Sequence, residues 1–117
     1  MIYKGSCHCG KISFEVEGEL TGAMACNCSI CSRMGSLLWF VPREKLRVLS
    51  SQNEADVGTY TFNKHRIKRH FCRICGIHPY ADGTDSKGNP MAAINIRCLP
   101  ELELASVPVK HFDGKSL

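Results

Sequence analysis

Cysteine is the residue type in this sequence with the clearest capacity for chemistry. Seven of its eight cysteines fall into three short clusters. The clusters are Cys7-His8-Cys9, Cys26-Asn27-Cys28-Ser29-Ile30-Cys31 and Cys72-Arg73-Ile74-Cys75. Cysteines separated by one or two residues are typical of metal sites, because a single turn of chain can direct both sulfurs at a shared ion. The spacing therefore predicts metal binding, with zinc as the metal.

The first and third clusters together supply four thiolates, from Cys7, Cys9, Cys72 and Cys75. Four thiolates complete the tetrahedral coordination that zinc prefers and leave no position open for chemistry. Because the two pairs lie far apart in the sequence, a zinc ion shared by them would link an early strand to a late one. Its binding free energy would then contribute to folding. The sequence predicts a structural zinc site here, with four buried free thiols as the alternative.

The middle cluster supplies only three thiolates, from Cys26, Cys28 and Cys31. Three protein ligands with one open position are typical of catalytic zinc. Cys98 follows an alternating apolar pattern that begins at Ala92, which favours a buried thiol on a strand over a fourth ligand. We therefore expect water or substrate at the open position. The other candidates for a fourth protein ligand are His8, His65, His70 and His78.

The chemistry of the middle cluster follows from its charge. Three anionic thiolates would largely cancel the charge of zinc, so the ion would activate water poorly and hydrolysis is disfavoured. A substrate thiol is a better fourth ligand, because its unperturbed pKa of about 8.5 needs only a modest shift at neutral pH. The cluster thus predicts a site that presents a small thiol, such as glutathione, as a nucleophile. Arg33 and the basic stretch 64–70 are candidates for binding its carboxylates, although a solvated strand face explains them equally well.

The elements that must position these cysteines are predicted to be strands. Phe14 and Val16 alternate with polar residues, as in a half-buried strand, and residues 37–41 form an apolar run that Pro42 ends. No segment offers three turns of helical periodicity, so we expect a mainly β fold in a single domain over residues 1–117. Further extended segments are predicted at 46–49, 59–62, 65–71 and 92–98, with turns at 42–45, 63–64, 82–83 and 87–90.

Length, composition and charge limit the classes of protein that this can be. A chain of 117 residues is expected to form one domain with a modest core. It has no apolar run long enough to span a bilayer and no signal-peptide pattern, so we expect a cytoplasmic protein that does not enter a membrane. The cytosol keeps thiols reduced, which favours metal binding over disulfides. The formal net charge of +4 is too small to predict nucleic-acid binding by itself.

Three segments resemble the glutathione-dependent formaldehyde-activating enzyme family, which also includes the centromere protein V-like domains. Their order and spacing match together, and the resemblance extends from about Gly5 to Leu99. It implies a β-tent fold of small antiparallel sheets, a structural zinc on the outer cysteine pairs and a catalytic zinc on the middle cluster. The segments are Gly5-Ser6-Cys7-His8-Cys9-Gly10, Cys26-Asn27-Cys28-Ser29-Ile30-Cys31 and Cys72-Arg73-Ile74-Cys75-Gly76-Ile77-His78.

The resemblance also implies a reaction. The namesake members join glutathione to formaldehyde and give S-(hydroxymethyl)glutathione, which is a carbon–sulfur lyase reaction running in reverse. Glutathione thiolate, held at the zinc of Cys26, Cys28 and Cys31, would attack the carbonyl carbon of formaldehyde. His78 or Tyr80 is a candidate acid for protonating the oxyanion that results.

Two other interpretations of the sequence remain open. In the first, the chain is a zinc-stabilised binding module without catalysis, and the basic stretch 64–69 contacts protein or nucleic acid. In the second, the middle cluster works without metal in redox chemistry, or serves to store zinc.

Overall fold

Extended segments dominate the computed structural model, which describes residues 1–49, 54–62 and 66–116. The prediction of a mainly β chain is confirmed. The one α-helix within the described residues, α1, is the single turn Cys31–Met34. The strands are β1 (Ile2–Ser6), β2 (Ser13–Glu17), β3 (Ala23–Cys26), β4 (Leu38–Pro42), β5 (Leu46–Val48), β6 (Val57–Tyr60), β7 (Lys68–Cys72), β8 (Tyr80–Thr84), β9 (Pro90–Asn95) and β10 (Val109–Phe112).

The strands form two sheets. The smaller sheet has the antiparallel order β1-β2-β5. The larger sheet has the order β10-β3-β4-β9-β8-β7-β6, and its neighbours are antiparallel except β10 and β3, which are parallel. In this register Phe112 of β10 lies opposite Cys26 of β3. The chain therefore returns at its C-terminal end to the strand that leads into the middle cysteine cluster.

The main core combines side chains from both sheets. Phe14 and Val16 on β2 are buried, as their alternation predicts, and they belong to the same cluster as Trp39 of β4 and Ile94 of β9. The ring of Trp39 also packs edge-on against Tyr3, with centroids 5.5 Å apart. Burial of these large apolar side chains is the main favourable term for folding and joins the two sheets.

The structure corrects two details of the predicted elements. The Asp82-Gly83 pair predicts a turn, but both residues lie inside β8, where pairing with β7 and β9 outweighs the local preference. The alternation that begins at Ala92 predicts a strand through Cys98, but β9 ends at Asn95. The Asn95 side chain accepts a hydrogen bond from the backbone N–H of Arg97 and so starts a 3-10 turn, Ile96–Cys98. The turn predicted at residues 63–64 lies outside the described residues.

Other predicted elements agree with the structure. Pro42 ends β4 and is followed by a single 3-10 turn, Arg43–Lys45, before β5 begins. The extended segment predicted at 59–62 is shifted towards the N-terminus, as β6. No helix in the part of the chain that the structure describes has the length and apolar character needed to cross a bilayer.

Candidate functional site

The first and third cysteine clusters meet between the two sheets. Cys7 and Cys9 follow β1 of the smaller sheet, whereas Cys72 ends β7 of the larger sheet and Cys75 lies in the turn after it. Their four Sγ atoms all lie within 4.8 Å of one another. This group, called the quartet below, therefore brings together parts of both sheets.

Backbone N–H groups surround the quartet sulfurs. Cys7 Sγ accepts a hydrogen bond from Ile12 N at 3.3 Å. Cys72 Sγ accepts from Ile74 N at 3.4 Å and from Cys75 N at 3.5 Å. Such donors favour the thiolate over the thiol, because they stabilise the negative charge on sulfur. The turns around the quartet are thus arranged for anionic sulfur.

The spacing of the quartet sulfurs fits zinc. Cys9 Sγ lies 3.7 Å from Cys7 Sγ and 3.5 Å from Cys72 Sγ. Tetrahedral zinc with Zn–S bonds of about 2.3 Å requires sulfurs about 3.8 Å apart, whereas a disulfide requires about 2.05 Å. Burial acts to raise the pKa of the Cys75 thiol, but the backbone N–H groups of Cys9 and Ile77 help to lower it to about 6. The quartet offers the donor set of a closed zinc site.

The middle cysteine cluster gathers at the end of β3. Cys26 is the last residue of β3, Cys31 is the first residue of α1, and Cys28 lies in the loop between them. Their three Sγ atoms lie within 4.8 Å of one another, and no other His, Cys, Asp or Glu of the described residues completes this group. The group is called the trio below. Its arrangement provides three thiol donors and leaves room for a fourth ligand.

The pKa values of the trio show why three thiolates need a cation. Burial and the thiols of Cys28 and Cys26 raise the pKa of Cys31 to about 12, although Arg69 acts to lower it. Burial also acts to raise the pKa of Cys28, but the backbone N–H of Cys31, the thiols of Cys31 and Cys26 and the backbone N–H of Ile30 together lower it. One thiol of the trio thus ionises at the expense of another. A divalent cation among the sulfurs would remove this conflict, so the trio also fits a metal ion.

None of the described alternatives for a fourth ligand completes the trio, and His78 is not within the group. Cys98 is buried in the turn after β9, where burial and the charges of Cys7 and Cys75 raise its pKa to about 11. It therefore lies near the quartet and not in the trio. His8 belongs to neither group, and His65 lies outside the described residues.

His70 is held in a hydrogen-bond network that joins β6, β7 and β8. Its Nε2 lies 2.7 Å from Asp82 Oδ2, and its Nδ1 lies 3.0 Å from Thr59 Oγ1. Asp82 Oδ1 also lies 2.7 Å from Arg43 Nε. Burial alone would raise the pKa of Asp82, but His70 and Arg43 lower it. Both imidazole nitrogens of His70 are thus engaged away from the trio.

A cleft of about 860 Å³ opens beside the trio. All three trio cysteines line it, so the cleft gives access to this group. Arg69, His78, Tyr80 and Asp82 also line it. Pockets of this size that bring a few polar groups together are typical of sites for small molecules.

Arg69 is a cation that interacts with the trio. It lies on β7, and its guanidinium interacts with the Cys31 thiol and lies 5.2 Å from the centroid of the Phe62 ring. None of the described carboxylates forms an ion pair with it. In the sequence Arg69 is only one member of a basic stretch. In the structure it lines the cleft. Lys64 lies outside the described residues.

The two candidate acids, His78 and Tyr80, both line the cleft. Burial and the charge of Arg69 lower the pKa of His78, so the imidazole is neutral near pH 7. Its Nδ1 is buried and has no hydrogen-bond partner among the described atoms. Burial and Asp82 raise the pKa of Tyr80, which keeps the phenol protonated. Both side chains can offer a neutral hydrogen-bond donor to the cleft, whereas a cationic His78 is disfavoured.

The C-terminal segment holds the loop of the trio in place. Asn27, between two of the cysteines, donates from Nδ2 to Asp113 Oδ1 at 3.0 Å and accepts at Oδ1 from Lys115 N at 2.8 Å. Gly114 passes so close that a Cβ there would lie 2.6 Å from Cys26 Sγ. No local sequence signal predicts this contact, because it depends on the pairing of β10 with β3. The segment therefore completes the surroundings of the trio from a distant part of the chain.

Comparisons with known proteins agree with this geometry. A crystal structure of a Rhodobacter sphaeroides protein, a structural genomics target, is similar over 92% of this chain and 99% of that chain, with a TM-score of 0.76 and 29% sequence identity. The family model described as glutathione-dependent formaldehyde-activating enzyme matches residues 2–112, which include both cysteine groups. The chain therefore belongs to the glutathione-dependent formaldehyde-activating enzyme family.

Proposed function

We propose that this protein is a zinc-dependent enzyme of the carbon–sulfur lyase type, which joins a glutathione-like thiol to a small aldehyde and splits the adduct in the reverse direction. One observation carries this proposal: three convergent thiols line a cleft, and no fourth protein ligand from the described residues closes the group. Membership of the family supports glutathione and formaldehyde as the class of reactants. The reaction needs reduced thiols, which the cytoplasm maintains.

The quartet has a structural role in this proposal. Cys7, Cys9, Cys72 and Cys75 would bind one zinc ion and so tie the smaller sheet to the larger one. The two sheets and this link would form the β-tent arrangement of a single domain over residues 1–117. Because four thiolates fill the tetrahedron, this zinc would take no part in the reaction.

The trio has the catalytic role. Zinc, when bound by Cys26, Cys28 and Cys31, would supply a cation that lowers the pKa of a substrate thiol at the open position. Arg69 would offset the negative charge that the thiolates bring to the cleft. It would also stabilise the oxyanion that develops on the aldehyde.

The addition forms one carbon–sulfur bond and changes no oxidation state. The substrate thiol loses its proton, its sulfur attacks the carbonyl carbon, and the π electrons of the carbonyl group move to oxygen. That oxygen then takes up one proton, so the atoms balance. His78 and Tyr80 are placed along the cleft to donate hydrogen bonds to the oxygen during this change.

Metal content is the direct test of the two-site scheme. The purified chain should contain two zinc ions, one for each cysteine group. Elemental analysis of protein grown with zinc, repeated in the presence of glutathione, measures this number. A single zinc ion under both conditions would contradict the catalytic part of the scheme and leave only the quartet.

Gly114 provides a test of the trio from outside its ligands. Replacing Gly114 with alanine places a Cβ 2.6 Å from Cys26 Sγ and 3.3 Å from Cys28 Cβ, so a ligand must move. We expect the zinc affinity of the trio to fall by about tenfold or more, as for other changes that disturb the surroundings of a metal ligand. Competition with a chelator measures it. The matched control is Gly83→Ala, whose Cβ would meet only Ile67 at 3.6 Å; equal affinities in the two variants would contradict the prediction.

A further inference from the structure

The cleft beside the trio has mostly apolar walls. The apolar side chains named below come from four strands (β3, β4, β9 and β10), from α1 and from residues near the ends of β6 and β7, so no single element accounts for them. The cleft has a volume of about 860 Å³, which is enough to enclose a drug-sized molecule. Formaldehyde, a one-carbon aldehyde, would fill a small part of it. The apolar lining residues include Met24, Met34, Leu38, Phe40, Phe62, Ile67, Met91 and Phe112.

Several of these side chains are unusually exposed for their size. Phe40 is 47% exposed and Phe112 is 40% exposed, although both lie in a concave surface. Leaving such rings in water is unfavourable by about 25 cal/mol for each Å² of apolar surface. A ligand that covers them would gain this free energy on binding. The cleft is therefore suited to an apolar group that reaches from the trio along its walls.

Four charged residues of the described chain line the cleft, Arg69, Asp82, Asp85 and Lys115, and the two carboxylates are engaged. The charge of Asp82 is met by Arg43 and His70, and Asp85 accepts hydrogen bonds from the backbone of its own turn. Arg69, close to the trio, has no carboxylate partner among the described residues. A thiol with an anionic group could therefore be anchored at the trio end, where its sulfur reacts. Ser29, Thr84 and Lys115 also line the cleft, but most of the surface of its walls is apolar.

We propose that the carbon–sulfur adduct handled at this site carries an apolar chain or ring of several carbons. The inference rests on the proposed function, since it assumes that the trio is where sulfur and carbonyl carbon are joined. The electrophile would then be an aliphatic or aromatic aldehyde larger than formaldehyde. The thiol gives up its proton, the new carbon–sulfur bond forms, and the carbonyl oxygen takes up one proton, with no oxidant or reductant required.

Inert analogues of the adduct test this inference without turnover. S-methyl-, S-butyl- and S-hexylglutathione differ only in the length of the apolar chain, and calorimetry of the zinc-loaded full chain gives their dissociation constants. We expect the affinity to rise by about threefold for each added methylene until the cleft is filled, and by at least about thirtyfold from S-methyl to S-hexyl. Equal affinities along the series would overturn the inference.

A pair of variants tests whether the cleft is where the apolar chain binds. Phe40→Ser removes an apolar wall of the cleft and should weaken S-hexylglutathione about tenfold while changing S-methylglutathione less than about twofold. Leu49→Ser is the control, because Leu49 is exposed to a similar extent, 45%, but does not line the cleft. The same loss in both variants would overturn the assignment to the cleft. If Phe40→Ser does not fold, the series measured on the unmodified chain still decides the question.

Turnover separates this inference from the proposed function. The rate of adduct formation from glutathione is measured with formaldehyde and with the homologous aldehydes from propanal to hexanal. Turnover of formaldehyde together with a flat analogue series would overturn the inference and keep the proposed function. A steep analogue series without turnover of any aldehyde would support the apolar site and contradict the proposed reaction.

Discussion

Replacing Cys28 with serine should abolish adduct formation and leave the fold intact. Cys28 is half-exposed, lies in the loop between β3 and α1, and belongs to neither buried core cluster. Serine removes one of three sulfurs that converge within 4.8 Å, so the trio would keep two thiolates and lose its zinc. Because changes to the surroundings of a ligand already cost about 10- to 100-fold, we expect kcat/KM to fall by at least about a hundredfold. Steady-state kinetics with glutathione and an aldehyde measures the loss.

Three controls make this result specific to the trio. Cys98→Ala removes a cysteine that belongs to neither metal group and should keep kcat/KM within about threefold of the unmodified chain. The melting temperature of Cys28→Ser should stay close to that of the unmodified chain, which excludes unfolding as the cause. Elemental analysis should find one zinc ion fewer in this variant. Full activity in Cys28→Ser would remove the trio from the reaction.

The cysteine groups illustrate what the sequence can predict. Spacing alone assigns Cys7 and Cys9 to one pair and Cys72 and Cys75 to another, because ligands on one turn must be close in sequence. The short spacing of Cys26, Cys28 and Cys31 likewise predicts that the trio forms one group. The structure adds that the quartet lies between the two sheets, which depends on strand pairing over many residues.

Other parts of the site depend on contacts that no local pattern encodes. Arg69 resembles its basic neighbours in sequence, and only the placement of β7 directs it at Cys31. Nothing in the local sequence distinguishes Gly114 from other turn glycines. It lies against Cys26 because β10 pairs with β3. Asp82 is a further example, since its ion pair with Arg43 and its hydrogen bond with His70 form inside a sheet where local preference predicts a turn. Positions like these are determined by tertiary pairing and escape a single-sequence analysis.

Replacing Cys72 with serine, unlike Cys28→Ser, should unfold the chain. Cys72 is fully buried, its sulfur accepts two backbone hydrogen bonds, and it lies 3.5 Å from Cys9 Sγ. Structural zinc contributes about 10–16 kcal/mol of apparent binding free energy in small zinc domains, which is comparable to or larger than the whole unfolding free energy of about 5–15 kcal/mol that most domains have. Loss of the quartet zinc should therefore leave the chain largely unfolded at 25 °C, with the trio disrupted as a consequence.

Circular dichroism melting curves of the two variants, measured side by side, provide the comparison. The chemical change is the same, one sulfur replaced by one oxygen, so a difference between them reports the site and not the substitution. A strong chelator added to the unmodified chain should reproduce first the Cys28→Ser phenotype and then the Cys72→Ser phenotype, because three protein sulfurs would hold the zinc of the trio and four would hold that of the quartet. If Cys72→Ser melted at the same temperature as the unmodified chain, the zinc of the quartet would not be what joins the two sheets. The apolar core around Phe14 and Trp39 would then be sufficient to hold the two sheets together.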